Sequence, residues 1–300
     1  MKALIIGTDR GIGKALRADL LLKGHEVTGT TRVRENVRDD TLYLDLNEPT
    51  PTHSKLPKLD VAYFCAAMTK YEDCRKDELE ARRVNAVNPS AIAKRLVESG
   101  ARVVLLSTSA VLDCRIPRMT VDRPRSPVSA YGRTKAEAET AFLALGPKAS
   151  VLRLTKVLTP ETGKFPKWIG DLSKGLSIEC ADDFRFSPIT LNDVVHTLVS
   201  IGGQQEGGIF HASAASDMSY ADAAWHIADR INVPRQLVQG RSSRSLNIDA
   251  DVVTAYTSLD ATRLGRMFSF LPPDPRDVID NVMGSVFAAA RKATILRAWP

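Results

Sequence analysis

The sequence predicts an α/β fold, a doubly wound parallel Rossmann sheet with a smaller C-terminal lobe. Three observations carry this. Short, fully apolar runs recur through the first half of the 300-residue chain, segments with helical spacing separate them, and a glycine-rich turn joins the first run to the first helix. Strands apolar on both faces are covered on both faces, which requires helices above and below a parallel sheet.

The elements follow in order. Ala3–Ile6 reads as a buried strand, and Ile12–Lys23 as a helix that stops at Gly24. His25–Thr30, Thr41–Leu44 and Val61–Ala66 read as the second, third and fourth strands. Glu78–Asn85 and Ser90–Ser99 have helical spacing, with a break expected near Pro89, which lacks an N–H. Arg102–Ser107 is a fifth strand, Ser129–Leu145 a long helix ending at Gly146-Pro147, and Ser150–Leu154 a sixth strand. After Lys156 the alternation fades. Leu158–Pro166 reads as loop, Ser187–Thr190 as a short strand, Asn192–Ile201 as helix, Gly208–His211 as strand and Tyr220–Ile231 as an amphipathic helix; Gln239–Thr257 is polar and unassigned.

Composition narrows the function classes. A chain with 44% apolar residues can bury a sizeable core. The net charge is +6, but Lys and Arg are dispersed, which favours a solvated surface and a small anionic ligand over nucleic acid. The four cysteines, Cys65, Cys74, Cys114 and Cys180, form no C-x-x-C pair and have no histidine at zinc spacing, so no metal site and a reduced, cytoplasmic setting are expected. No run of about 18 apolar residues exists, so no membrane span is expected, and four apolar residues before the first glycine are too few for a signal-peptide core.

Four motifs carry chemistry. Gly7-Thr-Asp-Arg-Gly11-Ile-Gly13 joins a strand to a helix, where absent side chains let a pyrophosphate approach the helix N-terminus. Gly7, Asp9, Arg10, Gly11, Ile12 and Gly13 are its candidate cofactor contacts. At the end of the second strand, where an acid would hold the ribose of NAD, the chain has Thr31 and Arg32. Arg32 can pair with a 2′-phosphate with help from Arg10, so NADP(H) is expected over NAD(H). Asp45 and Leu46 are placed to meet the adenine, although a solvated turn aspartate reads the same way. Tyr131 and Lys135 lie four residues apart on one face of the long helix, where an ammonium, together with a positively charged oxidised nicotinamide, should lower a phenol's pKa. Ser107-Thr108-Ser109 closes the fifth strand at its carboxyl end, where ligands gather in such sheets.

These pieces, with YFCAAMT, VNAVNP, LLSTSAVLD, SPVSAYGRTKAEAE, LRLTKV and FSPITLNDVV in order along the chain, resemble the extended short-chain dehydrogenase/reductase superfamily. The segments GIFHASAASDMSYADAAWHIA and TSLDATRLGRMFSFLPPDPRDVI look most like its dTDP-4-dehydrorhamnose reductase-like sugar-nucleotide reductases. The resemblance implies a catalytic Thr108, Tyr131 and Lys135, with Thr108 selected over its two serine neighbours because it lies three residues before Val111. It also implies that Lys135 holds the nicotinamide ribose, that Cys65, Ala66 and Ala67 line the cofactor, and that Asn85 supports the site from its helix. The glycine spacing is that of the compact branch, Ser109 replaces the acid common after the catalytic threonine, Leu112 replaces an aromatic, and the glycine usual near Asp113 is missing.

The implied reading is NADPH-dependent reduction of a nucleotide-linked 4-keto sugar, with a homodimer left open. A 4-epimerase or dehydratase with retained cofactor and a non-catalytic NADP-sensing or scaffold protein are the alternatives. The expected division is a cofactor domain over residues 1–155, rejoined by elements at about 187–213, and a substrate lobe over 156–186 and 214–300. Thr155–Trp168 and Gln239–Asn247 are the expected substrate-contact stretches.

Overall fold

In the computed structural model, which describes residues 1–48 and 58–298, the chain opens with β1 (Lys2–Ile6), α1 (Gly11–Leu22), β2 (Glu26–Thr31), β3 (Thr41–Tyr43) and β4 (Val61–Phe64). Residues 49–57 of the expected cofactor domain and 299–300 of the expected lobe lie outside the described residues. There follow α2 (Tyr71–Lys76), α3 (Glu78–Arg82), α4 (Asn88–Glu98), β5 (Arg102–Thr108), α5 (Ala130–Leu143) and β6 (Ala149–Leu154). Next come β7 (Lys156–Leu158), α6 (Phe165–Ser173), β8 (Ile178–Ala181), β9 (Arg185–Phe186), β10 (Pro188–Thr190), α7 (Leu191–Gly202) and β11 (Gly208–Ala212). The chain ends through β12 (Met218–Ser219), α8 (Tyr220–Arg230), β13 (Val238–Arg241), α9 (Thr262–Phe268) and α10 (Pro275–Ala298).

Seven strands form one parallel sheet in the order β11-β6-β5-β4-β1-β2-β3. Period-2 alternation divides its side chains between two cores. Ala3, Ile5, Val61, Tyr63, Val104 and Leu106 face α1 and α7, while Leu4, Ile6, Ala62, Phe64, Val103 and Leu105 face α4 and α5. The strand order reverses direction between β1 and β4, and ligands of open α/β sheets bind at the carboxyl ends of the strands there. No helix among the described residues is long and apolar enough to cross a membrane.

A third core lies off the sheet. Phe165, Trp168 and Ile169 of α6, Ile227 of α8, and Ile279, Met283 and Phe287 of α10 bury together, and β8 pairs with β13 beside them. Between the two regions, β7 pairs with β10.

Three readings of the sequence need correction. The break expected at Pro89 is absent: helix runs from Glu78 to Glu98, and Arg83–Val87 form a π turn in which the Asn88 N–H donates to the Arg83 carbonyl. The widened turn relieves the clash and lost bond that a proline causes inside a helix. The expected loop Leu158–Pro166 ends in α6, where Pro166 occupies the first turn, a position that needs no N–H. The unassigned stretch 239–257 begins inside β13.

Candidate active site

Between β1 and α1 the glycine turn is closed on itself. A Cβ on Gly13 would lie 1.9 Å from the Gly7 carbonyl oxygen, so only glycine lets α1 start this close to the strand end. Arg10 is the N-cap residue, but its side chain makes no capping bond and α1 has no acid in its first turn. By contrast, Thr190 caps α7 and Ser219 caps α8 in a full capping box. Among the described residues the N–H groups at Gly11, Ile12 and Gly13 therefore have no side-chain acceptor, which is the arrangement a pyrophosphate fills.

At the end of β2, the Thr31 hydroxyl donates to the Asp9 carboxylate at 2.9 Å and accepts from the Val33 N–H at 3.0 Å. Asn36 also reaches Asp9, at 3.4 Å. Arg10 and Arg32 are exposed and form no ion pair among the described residues. Two free cations thus stand near a carboxylate held by neutral donors. The side chain of Asp45 closes its own turn, accepting from the Asn47 N–H at 2.8 Å. Leu46 buries its side chain in the α4–α5 core, and its carbonyl accepts from Asn88. Cys65 and Ala66 both donate backbone N–H bonds to the Ile6 carbonyl, at 3.0 and 2.8 Å, which seats Cys65-Ala66-Ala67 against the glycine turn. Burial pushes the Cys65 thiol up to about 12, so it stays protonated.

The third group assembles across β5 and α5. Ser129 caps α5, its hydroxyl accepting from the Gly132 N–H at 3.1 Å. A Cβ on Gly132 would sit 2.2 Å from the Ala110 carbonyl oxygen, so this glycine lets the first turn of α5 approach the end of β5. The Thr108 hydroxyl accepts from the Ala110 N–H at 3.1 Å and lies on the Tyr131 side of the strand end, close enough to act on the phenol. The two serines point elsewhere: Ser107 donates to Glu139 at 2.6 Å, and Ser109 is buried with its carbonyl facing the Cys114 thiol at 3.6 Å. Tyr71 of α2 lies against Tyr131, with ring centroids 5.6 Å apart. Lys135 follows one turn later, 3% exposed and in no ion pair among the described residues.

Asn85 serves this site at one remove. Its carboxamide oxygen accepts from the Met68 N–H at 2.8 Å, while its amide donates to the Met68 carbonyl at 2.9 Å and to Thr134 at 3.1 Å. It thus ties the segment after β4 to α5, and the π turn aims it there.

The expected lowering of the tyrosine does not occur in the protein alone. Burial pushes the Tyr131 phenol up, Tyr71 and Cys74 add to this, and the nearby Thr108 opposes it. Burial likewise drops Lys135 to about 8, although Glu139 opposes the drop. The amine is still mostly charged at neutral pH, but burial of the phenol outweighs it and leaves the phenol protonated. Burial thus keeps the phenol in its proton-bearing form, the form a proton donor needs. The pattern of the sequence reveals neither Tyr71 nor the buried set Glu139, Arg153 and His211, because their contacts cross between elements.

A family model described as RmlD substrate binding domain matches residues 1–286. A dTDP-4-dehydrorhamnose reductase of Mycolicibacterium smegmatis is 30% identical over 228 residues, covering 74% of this chain and 67% of that protein. A probable dTDP-4,6-dihydroxy-2-methyloxan-3-one 4-ketoreductase of Streptomyces antibioticus is 32% identical over 209 residues, covering 65% and 70%. Among solved structures, the Bacillus anthracis dTDP-4-dehydrorhamnose reductase in complex with NADP superposes with a TM-score of 0.77 at 19% identity, covering 95% of this chain and 99% of that one. The chain belongs to the RmlD substrate binding domain family, within the extended short-chain dehydrogenase/reductases.

Proposed function

We propose that this protein is an NADPH-dependent reductase of a nucleotide-linked 4-keto sugar. The observation that carries the reading is the close approach of the first turn of α5, with Tyr131 and the buried Lys135, to the end of β5 that bears Thr108, at the carboxyl edge of the sheet and across from an uncapped α1. Related proteins with reductase activities on dTDP-linked keto sugars support it.

The dinucleotide would lie with its pyrophosphate on Gly11–Gly13, its nicotinamide near Cys65-Ala66-Ala67 and its nicotinamide ribose on Lys135. Arg10 and Arg32 would meet a 2′-phosphate. Asp9 disfavours that phosphate, but its charge is shared with Thr31 and Asn36, and two free cations outweigh it. NADP bound to the Bacillus anthracis protein supports the same choice. When bound, NADPH supplies hydride to a carbonyl carbon. The Thr108 and Tyr131 hydroxyls then hold the carbonyl oxygen, and Tyr131, kept protonated by burial, delivers the proton to it. Lys135 replenishes the positive field as the phenol loses that proton. The region around α6, α8 and β13 would close over the sugar and nucleotide, in a cytoplasmic enzyme.

The test follows NADPH absorbance against a panel of nucleotide 4-keto sugars. Stoichiometric consumption with one of them supports the reading. Retention of cofactor through purification, with interconversion of 4-epimers and no net oxidation, would replace reduction by epimerisation.

A further inference from the structure

One turn beyond Lys135, α5 carries a carboxylate that the proposed reaction does not use. Glu139 is 0% exposed. Three elements converge on it. Ser107, next to Thr108 on β5, donates to its Oε1 at 2.6 Å. Arg153 of β6 clamps it through Nε at 3.0 Å and through a terminal nitrogen at 2.8 Å. Arg125, from the loop before α5, lies 3.5 Å away. Arg153 also meets His211 of β11 at 3.3 Å, and burial, aided by Arg153, drops that imidazole to about 3, so it accepts as a neutral ring.

A buried ion pair is a poor device for stability alone, since apolar side chains of equal size hold a fold about as well. Its position is more informative. Residues four apart on a helix have Cβ atoms roughly 5–6 Å apart, so Glu139 faces Lys135 along α5. We propose that Glu139 is a positioning residue, which binds the strand end bearing Thr108 to the helix bearing Tyr131 and supplies the negative charge that faces the Lys135 amine. The role assigned to Lys135 rests on the function proposed above.

Other groups around Lys135 fit this assignment. Cys65 faces it from the end of β4 as a neutral thiol. Tyr131 on α5, and Tyr71 and Cys74 on α2, are all pushed up by burial and carry no charge. Arg153 and Arg125 both pair with the Glu139 carboxylate. Glu139 is therefore the anion acting on Lys135, and it opposes the fall that burial causes. Its removal shifts Lys135 to lower pH, and the amine loses its charge inside the working range.

The test titrates Lys135 directly by NMR of protein labelled at the lysine ε-carbon, with the signal assigned through Lys135→Arg. The parent midpoint should fall at about 8, and Glu139→Gln should move it down by about one pH unit. The alkaline limb of kcat/KM should move with it. Glu139→Gln leaves Arg153 buried without its partner, so the double variant Glu139→Gln/Arg153→Met serves as the second arm. It should melt near the parent temperature yet keep a lowered midpoint and limb. An unchanged midpoint in the folded double variant overturns the proposal. Tyr131→Phe in parallel keeps the two readings apart: full turnover there overturns the proton-donor role, while the Lys135 midpoint still decides on Glu139.

Discussion

The region around the sheet and the region around α6, α8 and α10 treat their polar groups in opposite ways. The second satisfies itself: α8 carries a full capping box, and its core is a continuous packing of Phe165, Trp168, Ile227, Met283 and Phe287. At the carboxyl edge of the sheet, α1 is uncapped, Lys135 is buried without an ion pair, and Arg10 and Arg32 are free among the described residues. Unmet groups gathered at one edge mark where a ligand completes the structure. On the proposed function, the difference separates side chains that serve the reaction from side chains that serve the fold.

The sharpest probe of that separation is Tyr131→Phe, which removes only a hydroxyl. Turnover should drop by about 10²–10⁴-fold with the melting temperature and NADPH affinity nearly unchanged. Steady-state rates beside fluorescence titration check it, and a matching loss of stability would show that the edge of the sheet serves the fold as well. In the opposite direction, Phe165→Ala in the off-sheet core should cost about 3–5 kcal/mol of stability by chemical denaturation. NADPH affinity of the folded protein should stay near the parent value; a large loss would mean the two regions are not separable. Arg32→Ala should weaken NADPH about ten- to a hundredfold and leave NADH alone, read by calorimetry. Equal effects on both cofactors would place Arg32 away from the 2′-phosphate. Smallest is Ser219→Ala, expected to lower stability by about 1 kcal/mol through loss of the α8 cap, with kcat unchanged.

What could be read from the sequence follows the same divide. β1, β4, β5 and β6 are runs with nearly every residue buried, and such runs are visible without partners. The glycine turn, Tyr131 and Lys135 are local patterns too. The short pairs β7–β10, β9–β12 and β8–β13 are two to four residues each and exist only because distant segments meet. Pro166 looked like loop because a proline opening a helix and one breaking it are written alike. The Glu139–Arg153 clamp joins a helix to a strand 14 residues on, and no periodicity announces it. The tyrosine's state in the protein alone is hidden for a related reason: spacing shows a neighbouring amine, but not the burial that outweighs it.

The place of β11 has a consequence for how the chain is made. β6 is a six-residue strand buried at every position, and its outer edge pairs with β11, which lies more than fifty residues downstream. During synthesis, from N-terminus to C-terminus, β6 emerges well before its cover and presents open backbone donors and acceptors on an apolar strand. Such an edge templates pairing with other chains. A fragment cut after residue 155 would keep the glycine turn and the Tyr–Lys helix yet carry that edge permanently. It should gather into aggregates rather than behave as a minimal enzyme.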